Sequence, residues 1–116
     1  MTLQRLHVGP RMTEIVIHGD TVYLRGLTAE ETAGQSLAAQ TTEILAEIDR
    51  LLAVAGTDKS KLISATIWLS DIRTVDEMNA VWDAWVVPGA TPVRACIEAL
   101  LQGADLKIEI KVIAAR

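Results

Sequence analysis

The strongest constraint on the fold is that the spacing of apolar residues changes repeatedly along the chain. Segments 14–27, 62–69, 93–99 and 106–112 place an apolar residue at every second position, which is the pattern of half-buried β-strands. Two intervening segments repeat apolar residues every three or four positions, which is the pattern of amphipathic helices. The order β-β-α-β-α-β-β predicts an α+β fold, with residues 1–116 forming a single domain in which two helices pack on one face of a mixed sheet.

The first helix has a clear end and an ambiguous start. Its apolar face runs to Ala55, and Gly56 stands where a left-handed C-terminal cap is expected. Two pairs have the capping-box spacing at its start: Thr28 with Glu31, and Thr32 with Gln35. Gly34 is a poor residue for a helix interior, so it favours a start at or after its own position.

The second helix has signals at both ends. Thr74 and Glu77 have the spacing of a capping box, and Pro88-Gly89 predicts the end of the helix. Its apolar stripe consists of Val75, Met78, Trp82 and Trp85. Among the strands, Gly19-Asp20 predicts a short hairpin near the start of the chain, and Gly103 predicts a turn between the last two strands.

Side-chain alternation divides the sheet into two faces. In the third strand, one face is predicted to hold Ile63, Ala65, Ile67 and Leu69. The face without helices is predicted to hold Tyr23, Arg25, Trp68, Arg94, Cys96, Glu98 and Glu109. A monomer can leave one face of such a sheet in water. However, Trp68 and Leu62 beside patterned charges are more typical of a subunit interface.

Composition disfavours several classes of function. Eleven basic against fifteen acidic residues give a net charge of −4 and an isoelectric point near 5.1, which disfavours binding to nucleic-acid phosphates. Two histidines and the single Cys96 argue against a dedicated zinc site, and a lone cysteine cannot close an intrachain disulfide. No stretch approaches a membrane span or the apolar core of a signal peptide. We therefore expect a soluble cytoplasmic protein.

Arg94 and Glu109 are the first candidates for chemistry. Alternation places both on the same predicted face, and a hairpin of the last two strands would bring them nearly opposite each other. One interpretation is a cross-strand ion pair of little energetic consequence. The other is an arginine fork for a ligand carboxylate beside a carboxylate that moves protons or positions water.

Other polar residues also have two interpretations. Cys96 lies on the same predicted face as Arg94, which would lower the pKa of a nucleophilic thiol, but a buried structural cysteine is the favoured interpretation. Asn79 interrupts the second helix and is read as a solvated or locally bonded amide. Arg11 and Arg25 flank the first hairpin and ordinarily pass as surface charges.

Taken together, these segments resemble the RidA (YjgF) family of small trimeric imine and enamine deaminases, and the resemblance covers nearly the whole chain. Its strongest part is PVRACIEALL, residues 92–101, which looks like the family's Pro-x-Arg-x-Cys-x-Glu segment, followed by LKIEIKVIAA, residues 106–115. Supporting matches are Gly9-Pro10, Gly26, Gln40, Ala55-Gly56 and Asn79-Ala80.

The resemblance implies a chorismate-mutase-like homotrimer with three clefts between subunits. In such a cleft, Arg94 binds the substrate carboxylate and Glu109 holds or activates water. Gly26 supplies backbone contacts and Cys96 lines the cleft, while Asn79 supports the fold. The implied reaction is hydrolysis of 2-imino or enamine acids to 2-keto acids and ammonia. No metal or organic cofactor is implied, because an iminium carbon is already a strong electrophile.

Departures from the family pattern keep an alternative open. Arg11 stands where the family commonly has Tyr, and Arg25 stands where it often has Ser. If they line the cleft, these two arginines either bind a second anionic group of the substrate or fill the space that the substrate needs. The alternative is therefore a non-catalytic trimeric binder of small carboxylate metabolites. The label of ribonuclease or translation inhibitor, used for some family members, is opposed by the acidic isoelectric point and the lack of a basic aromatic patch.

Overall fold

The structure is a computed structural model that describes residues 2–116. Those residues form a seven-stranded mixed sheet with two α-helices on one face. The mixed sheet and the two helices were predicted, whereas the additional strands at residues 3–8 and 27–28 were not. The elements are β1 (Leu3–Val8), β2 (Thr13–His18), β3 (Thr21–Leu24), β4 (Leu27–Thr28), α1 (Leu37–Val54), β5 (Leu62–Leu69), α2 (Val75–Trp85), β6 (Val93–Glu98) and β7 (Ile108–Ala115). The strands lie side by side in the order β1-β2-β3-β7-β5-β6, and the short β4 also pairs with β7.

The predicted hairpin of the last two strands is wrong. β6 pairs with β5 in parallel, whereas β7 pairs antiparallel with both β5 and β3 and occupies the middle of the sheet. The physical reason is the connection through α2, because a strand-helix-strand crossover returns the chain parallel to the strand that it left. β5 therefore separates β6 from β7.

The core between the sheet and the helices is almost entirely aliphatic. The sheet contributes every second residue of four strands: Ile15, Ile17, Val22, Leu24, Ala65, Ile67, Leu69, Ile108, Ile110, Val112 and Ala114. The helices contribute Leu37, Ile44, Leu45, Ile48, Leu51, Leu52, Met78 and Trp82. Trp82, with 5% of its surface exposed, is the one aromatic residue among these buried side chains, and the partly buried Trp85 packs beside it. No helix within residues 2–116 has the length and apolar character needed to cross a bilayer.

A buried amide joins α1 to the segment that enters β7. Gln40 is fully buried, and its Nε2 donates to the carbonyl oxygens of Gln35 and Asp105 at 3.2 and 3.0 Å. Its Oε1 accepts from the backbone N–H of Lys107 at 2.9 Å. Both ends of the amide are satisfied, so this residue stabilises the fold at little desolvation cost.

Neither predicted capping box forms at the start of α1. Ser36 is the cap, and its Oγ accepts from the N–H of Ala39 at 3.1 Å, which confirms a start after Gly34. The preceding loop is held in another way, since the Glu43 carboxylate accepts the backbone N–H groups of residues 30, 31 and 32. The Thr32 hydroxyl also donates to Glu43 at 2.6 Å, so Thr32 is not available as a cap.

The predicted capping box of α2 is also wrong. The Thr74 hydroxyl donates to the carbonyl of Asp71 at 2.6 Å and does not cap the helix. Glu77 instead accepts the N–H of Ala38 at 2.9 Å, in the first turn of α1. A contact between the two helices therefore replaces a local one, and α2 ends at Trp85, before the predicted stop.

Two features of the sheet were not predicted from the sequence pattern. β1 is an edge strand in which only Leu6 is partly buried, so it shows no alternation. β5 runs over the predicted residues, but its register against β7 shifts between Leu62 and Ser64. This β-bulge changes the alternation, so Leu62 is 8% exposed and Ile63 is 46% exposed. The prediction that Ile63 shares a face with Ala65 is therefore wrong.

Candidate functional site

Glu109 lies on the face of the sheet that carries no helix. It sits in β7 between the buried Ile108 and Ile110, so its side chain points away from the core. It pairs with Trp68 of β5 across the sheet. A Cβ atom placed on Gly26 would overlap Oε2 of Glu109, so this carboxylate rests directly against the backbone of Gly26. A larger residue at position 26 would push the carboxylate aside.

A shallow groove opens in front of this carboxylate. We call it the glutamate groove; its volume is about 280 Å³, and it is lined by Trp68, Ala99, Leu100, Leu101, Gln102 and Glu109. Leu100 is fully exposed, and Trp68 is half-buried. A fully exposed leucine beside a tryptophan is unusual for a surface that stays in water, and it favours contact with another chain.

Arg94 lies on the opposite face of the sheet. In the parallel register of β5 and β6 it is the partner of Ala65, which belongs to the core face. Its guanidinium carbon lies 5.4 Å from the ring centroid of Trp82 on α2, which is within the range of a cation-π interaction. Within residues 2–116 the Arg94 guanidinium joins no ion pair and no hydrogen bond. We call this region the arginine edge; it consists of Arg94, Cys96 and Trp82.

The predicted meeting of Arg94 and Glu109 within one chain is therefore wrong. β6 and β7 lie two inter-strand distances apart, because β5 lies between them. On β5, Arg94 is paired with Ala65 and Glu109 with Trp68, which are three residues apart. These offsets separate the two Cα atoms by about 14 Å, with side chains on opposite faces. The same register also moves Cys96 and Glu98 to the helix side of the sheet. Tyr23, Trp68 and Glu109 keep their predicted face.

Cys96 lies two residues from Arg94 on the same face, as predicted. It is half-buried and packs against the hydrophobic core. Burial raises the pKa of its thiol, and the nearby charge of Arg94 offsets this only in part. The thiol is therefore protonated at neutral pH and is a poor nucleophile, in agreement with a structural cysteine.

Arg25 lies beside Gly26 and is already engaged by neighbouring groups. Its Nη1 donates to the carbonyl oxygen of Gly26 at 3.1 Å, and its Nη2 lies 3.7 Å from Oε1 of Glu14. The other oxygen of Glu14 lies 2.6 Å from Nδ1 of His7, a residue with a positive φ of 57°. The hydrogen bond from His7, followed by the charge of Arg25, lowers the pKa of Glu14 although burial opposes it. Arg25 lines a depression against Arg50 of α1 and does not line the glutamate groove.

Arg11 is exposed, whereas Asn79 is partly buried. Arg11 is exposed in the turn between β1 and β2, where the N–H of Gly9 donates to the carbonyl of Met12 at 2.9 Å. It does not line the glutamate groove. Asn79 lies one turn before Trp82 on α2, and its Oδ1 is buried without a hydrogen-bond partner within residues 2–116. The predicted local bonding of this amide oxygen is therefore not found.

Sequence reasoning missed two supporting interactions. Trp82 was identified as a core residue, but not as the surface on which Arg94 lies. The strand-helix-strand connection was the available signal, because it would have placed β6 beside β5 and Arg94 on the side of α2. The contact of His7 with Glu14 had no signal, since it joins an exposed edge strand to its neighbour.

A family model, a sequence relative and a solved structure all match nearly the full length of the chain. A family model described as "Endoribonuclease L-PSP" matches residues 2–116. The RutC family protein YoaB of Escherichia coli (strain K12) is 40% identical over 115 residues, with 99% of each chain covered. A crystal structure of a YjgF family member from Neisseria meningitidis is 42% identical, covers 100% of this chain and 96% of that one, and has a TM-score of 0.92.

A more distant relative carries the name of an enzyme. The 2-iminobutanoate/2-iminopropanoate deaminase of Escherichia coli (strain K12) is 27% identical over 110 residues, covering 93% of this chain and 84% of its own. The matched family model and the relatives that are about 40% identical span nearly the full length of the chain. The chain therefore belongs to the YjgF (RidA) family.

Proposed function

We propose that the chain is an imine deaminase, which hydrolyses short-lived 2-imino acids, or their enamine tautomers, to 2-keto acids and ammonia. The observation that carries the proposal is a pair of functional groups that the fold leaves unused. Arg94 presents a guanidinium with no acidic partner within residues 2–116, and Glu109 holds a carboxylate against Gly26 at an open groove. Similarity to a 2-iminobutanoate/2-iminopropanoate deaminase supports the same reaction class.

The chemistry follows from these two groups. Arg94 binds the substrate carboxylate through two parallel charge-assisted hydrogen bonds. Glu109 orients a water molecule and accepts its proton as the water oxygen bonds to the imine carbon. Starting from the protonated imine, Glu109 then gives this proton to the nitrogen. It accepts the proton of the new hydroxyl group as the carbonyl forms and the carbon–nitrogen bond breaks, so that ammonia leaves and a 2-keto acid remains. Holding water and substrate in the reacting geometry supplies much of the acceleration.

We propose that the complete site forms between two copies of the chain in a homotrimer. Within one copy, Arg94 and Glu109 lie on opposite faces and about 14 Å apart at their Cα atoms, so one substrate does not reach both. A cleft between copies lets the arginine edge of one copy face the glutamate groove of the next. The exposed Leu100 and the half-buried Trp68 at the groove favour such a contact.

The remaining predicted site residues have supporting roles in this proposal. Gly26 offers its backbone to the substrate and keeps room for the Glu109 carboxylate. Arg25 acts on the site through Gly26, whose carbonyl oxygen it already binds, while Glu14 holds its other nitrogen. Arg11 is exposed and available to a second anionic group. Cys96 lines the cleft as a neutral thiol.

Imines generated in situ by an amino-acid oxidase test the proposal, with keto-acid and ammonia release measured for several side chains. We expect the wild-type chain to accelerate release for at least one imine. Arg94→Ala should reduce kcat/KM on the order of 100-fold, because two charge-assisted hydrogen bonds are lost. Glu109→Gln should reduce kcat by a similar or larger factor, because the group that moves protons is lost.

Two matched variants separate these effects from changes of surface charge. Arg73→Ala removes an exposed arginine that pairs with Asp71, and Lys61→Ala removes an exposed charge in the turn that precedes β5. Both controls should turn over imines at the wild-type rate. If Arg94→Ala or Glu109→Gln also does so, the proposed roles are wrong.

The alternative is a trimeric binder of small carboxylates that carries out no reaction. Departure from the family pattern at Arg11 and Arg25 is the observation that favours it. A folded and assembled wild-type chain that binds 2-oxobutanoate but accelerates no imine would support the binder. Retained 2-oxobutanoate binding with lost turnover in Glu109→Gln would support the enzyme. A nuclease role is opposed by the net charge of −4.

A further inference from the structure

We propose that Trp82 is a positioning residue for Arg94, and that its indole face holds the guanidinium in the orientation that binds a carboxylate. This inference rests on the proposed function, in which Arg94 binds the carboxylate of the substrate. The observation behind it is the stacking distance of 5.4 Å between the Arg94 guanidinium carbon and the Trp82 ring centroid.

Arg94 is held differently from the arginines that pair with a carboxylate. Arg50 and Arg73 each donate to a nearby carboxylate, Glu47 and Asp71, so part of their hydrogen-bonding fork is occupied. Arg94 has no such partner within residues 2–116 and lies over an aromatic ring instead. A ring attracts the positive charge without accepting its N–H groups, so the fork stays free for a ligand.

A support of this kind matters because Arg94 lies on an exposed edge strand. A long side chain without partners loses much rotamer entropy when a ligand orders it. Stacking on Trp82 orders the guanidinium before the ligand arrives, which raises affinity by reducing that loss. The effect should therefore appear in the binding of the carboxylate more than in the chemical step.

Trp82 is itself fixed by its surroundings. Its side chain is 5% exposed, and its ring lies 5.4 Å from that of Trp85 at an angle of 52°. Nε1 of Trp85 donates to Asp49 of α1 at 3.0 Å. Nζ of Lys59 lies 5.2 Å from the centroid of the Trp85 ring and donates to the Trp85 carbonyl at 2.6 Å. The surface under Arg94 is therefore anchored to α1 and to the turn that precedes β5.

Proton NMR tests the stacking itself, whether or not the chain is an enzyme. An arginine over an indole face experiences a ring current, so we expect the Cδ protons of Arg94 to resonate upfield of those of the exposed Arg73. Trp82→Leu should abolish that shift, and Trp82→Phe should reduce it. If the wild-type chain has no upfield shift at Arg94, the inference is wrong.

Titration calorimetry with 2-oxobutanoate tests the consequence for binding. We expect Trp82→Leu to weaken binding by about threefold to thirtyfold, and Trp82→Phe to weaken it less, in line with the strength of cation-π contacts. In the Arg94→Ala background the same changes should weaken binding no further. Weakening by the same factor in both backgrounds would mean a merely structural role and would overturn the inference.

A matched core variant controls for stability. Met78→Ala truncates another buried side chain of α2 and should lower the melting temperature without weakening 2-oxobutanoate binding. If Trp82→Leu does not fold, Trp82→Phe and the wild-type ring-current shift decide the question. An upfield shift of Arg94 and normal 2-oxobutanoate binding, without turnover of any imine, would support the inference and contradict the proposed deaminase.

Discussion

The arginine edge and the glutamate groove hold opposite charges by different physical means. At the edge, Arg94 rests on the buried ring of Trp82, which attracts a cation and accepts none of its hydrogen bonds. In the groove, the Glu109 carboxylate rests where Gly26 has no side chain. Both groups stay free for a ligand, yet they lie on opposite faces of one sheet. In our proposal these two groups are therefore two halves of one site, which are brought together in a cleft between copies.

The largest expected effect follows from removing the contact between copies. Trp68→Glu introduces a charge into the glutamate groove, where our proposal requires a neighbouring copy. We expect monomers or aggregates in sedimentation and complete loss of imine turnover. Val54→Glu is the matched control, because Val54 is 46% exposed at the end of α1, away from the open sheet face. A Trp68→Glu chain that sediments as the wild-type assembly would contradict this role of the open face.

A smaller effect should follow from displacing the glutamate without removing it. Gly26→Ala adds a Cβ atom that overlaps Oε2 of Glu109, and the flexible carboxylate must then move. We expect kcat to fall by about 10-fold to 100-fold, because displacements of this size disturb the reacting geometry. The melting temperature should change little, since Gly26 has no positive φ. Unchanged kcat would show that the contact with Gly26 does not position Glu109.

Two glutamates of the chain allow function to be separated from stability. Glu43 accepts three backbone N–H groups and the Thr32 hydroxyl, whereas Glu109 has no such partner within residues 2–116. Glu43→Gln should lower the free energy of unfolding by about 1 kcal/mol and leave turnover unchanged. Glu109→Gln should leave the free energy of unfolding unchanged and reduce turnover. Chemical denaturation and the imine assay check the two variants together.

The contribution of Glu43 should depend on pH in a defined direction. Burial raises the pKa of Glu43, but the hydrogen bonds from Thr32, Glu31 and Glu30 outweigh it, so the pKa is lowered. A lowered pKa in the folded state adds stability above the ordinary glutamate pKa of about 4.3. That stability is lost as the pH falls through the lowered value. The difference between wild type and Glu43→Gln should therefore shrink below about pH 4.5, and a difference that grows would contradict this account.

The smallest expected effect concerns Cys96. Burial raises the pKa of its thiol, so the thiolate that reacts with iodoacetamide should form only above the ordinary range for cysteine. Cys96→Ser should change kcat by less than about twofold, because a neutral thiol beside Arg94 takes no part in the reaction. The pH profile of alkylation measures the first point. Rapid alkylation at neutral pH would contradict it.

Regular periodicity made much of the fold predictable. The hairpin at Gly19-Asp20, the end of α1 near Ala55 and the bounds of β5 follow from spacing and from residues with special backbone preferences. Local hydrogen bonds were harder to predict, because the Thr74 hydroxyl donates to Asp71 on its other side and Glu77 accepts from Ala38 on the other helix. β1 had no signal, since Leu6 is its only partly buried residue.

The sequence pattern nominated individual residues for a site, but it did not give their arrangement in the sheet. Alternation relates side chains within one strand, so Arg94 and Cys96 were correctly placed on a common face. It cannot relate Arg94 to Glu109 until the pairing of their strands is known. Because β6 pairs in parallel with β5, Arg94 lies on the helix side of the sheet and Glu109 lies on the open side. This arrangement excludes a direct contact of Arg94 with Glu109 within one copy, and our proposal brings the two residues together between copies.

Mixing two defective variants shows whether each site combines residues from two copies. Arg94→Ala and Glu109→Gln chains are co-expressed with different tags, and assemblies that contain both are purified and assayed for imine turnover. If each site combines the Arg94 of one copy with the Glu109 of the next, every mixed trimer carries one intact site, and activity returns to about one third of the wild-type value. If both residues act from the same copy, every site carries a defect. Mixed assemblies as inactive as their parents would contradict the account.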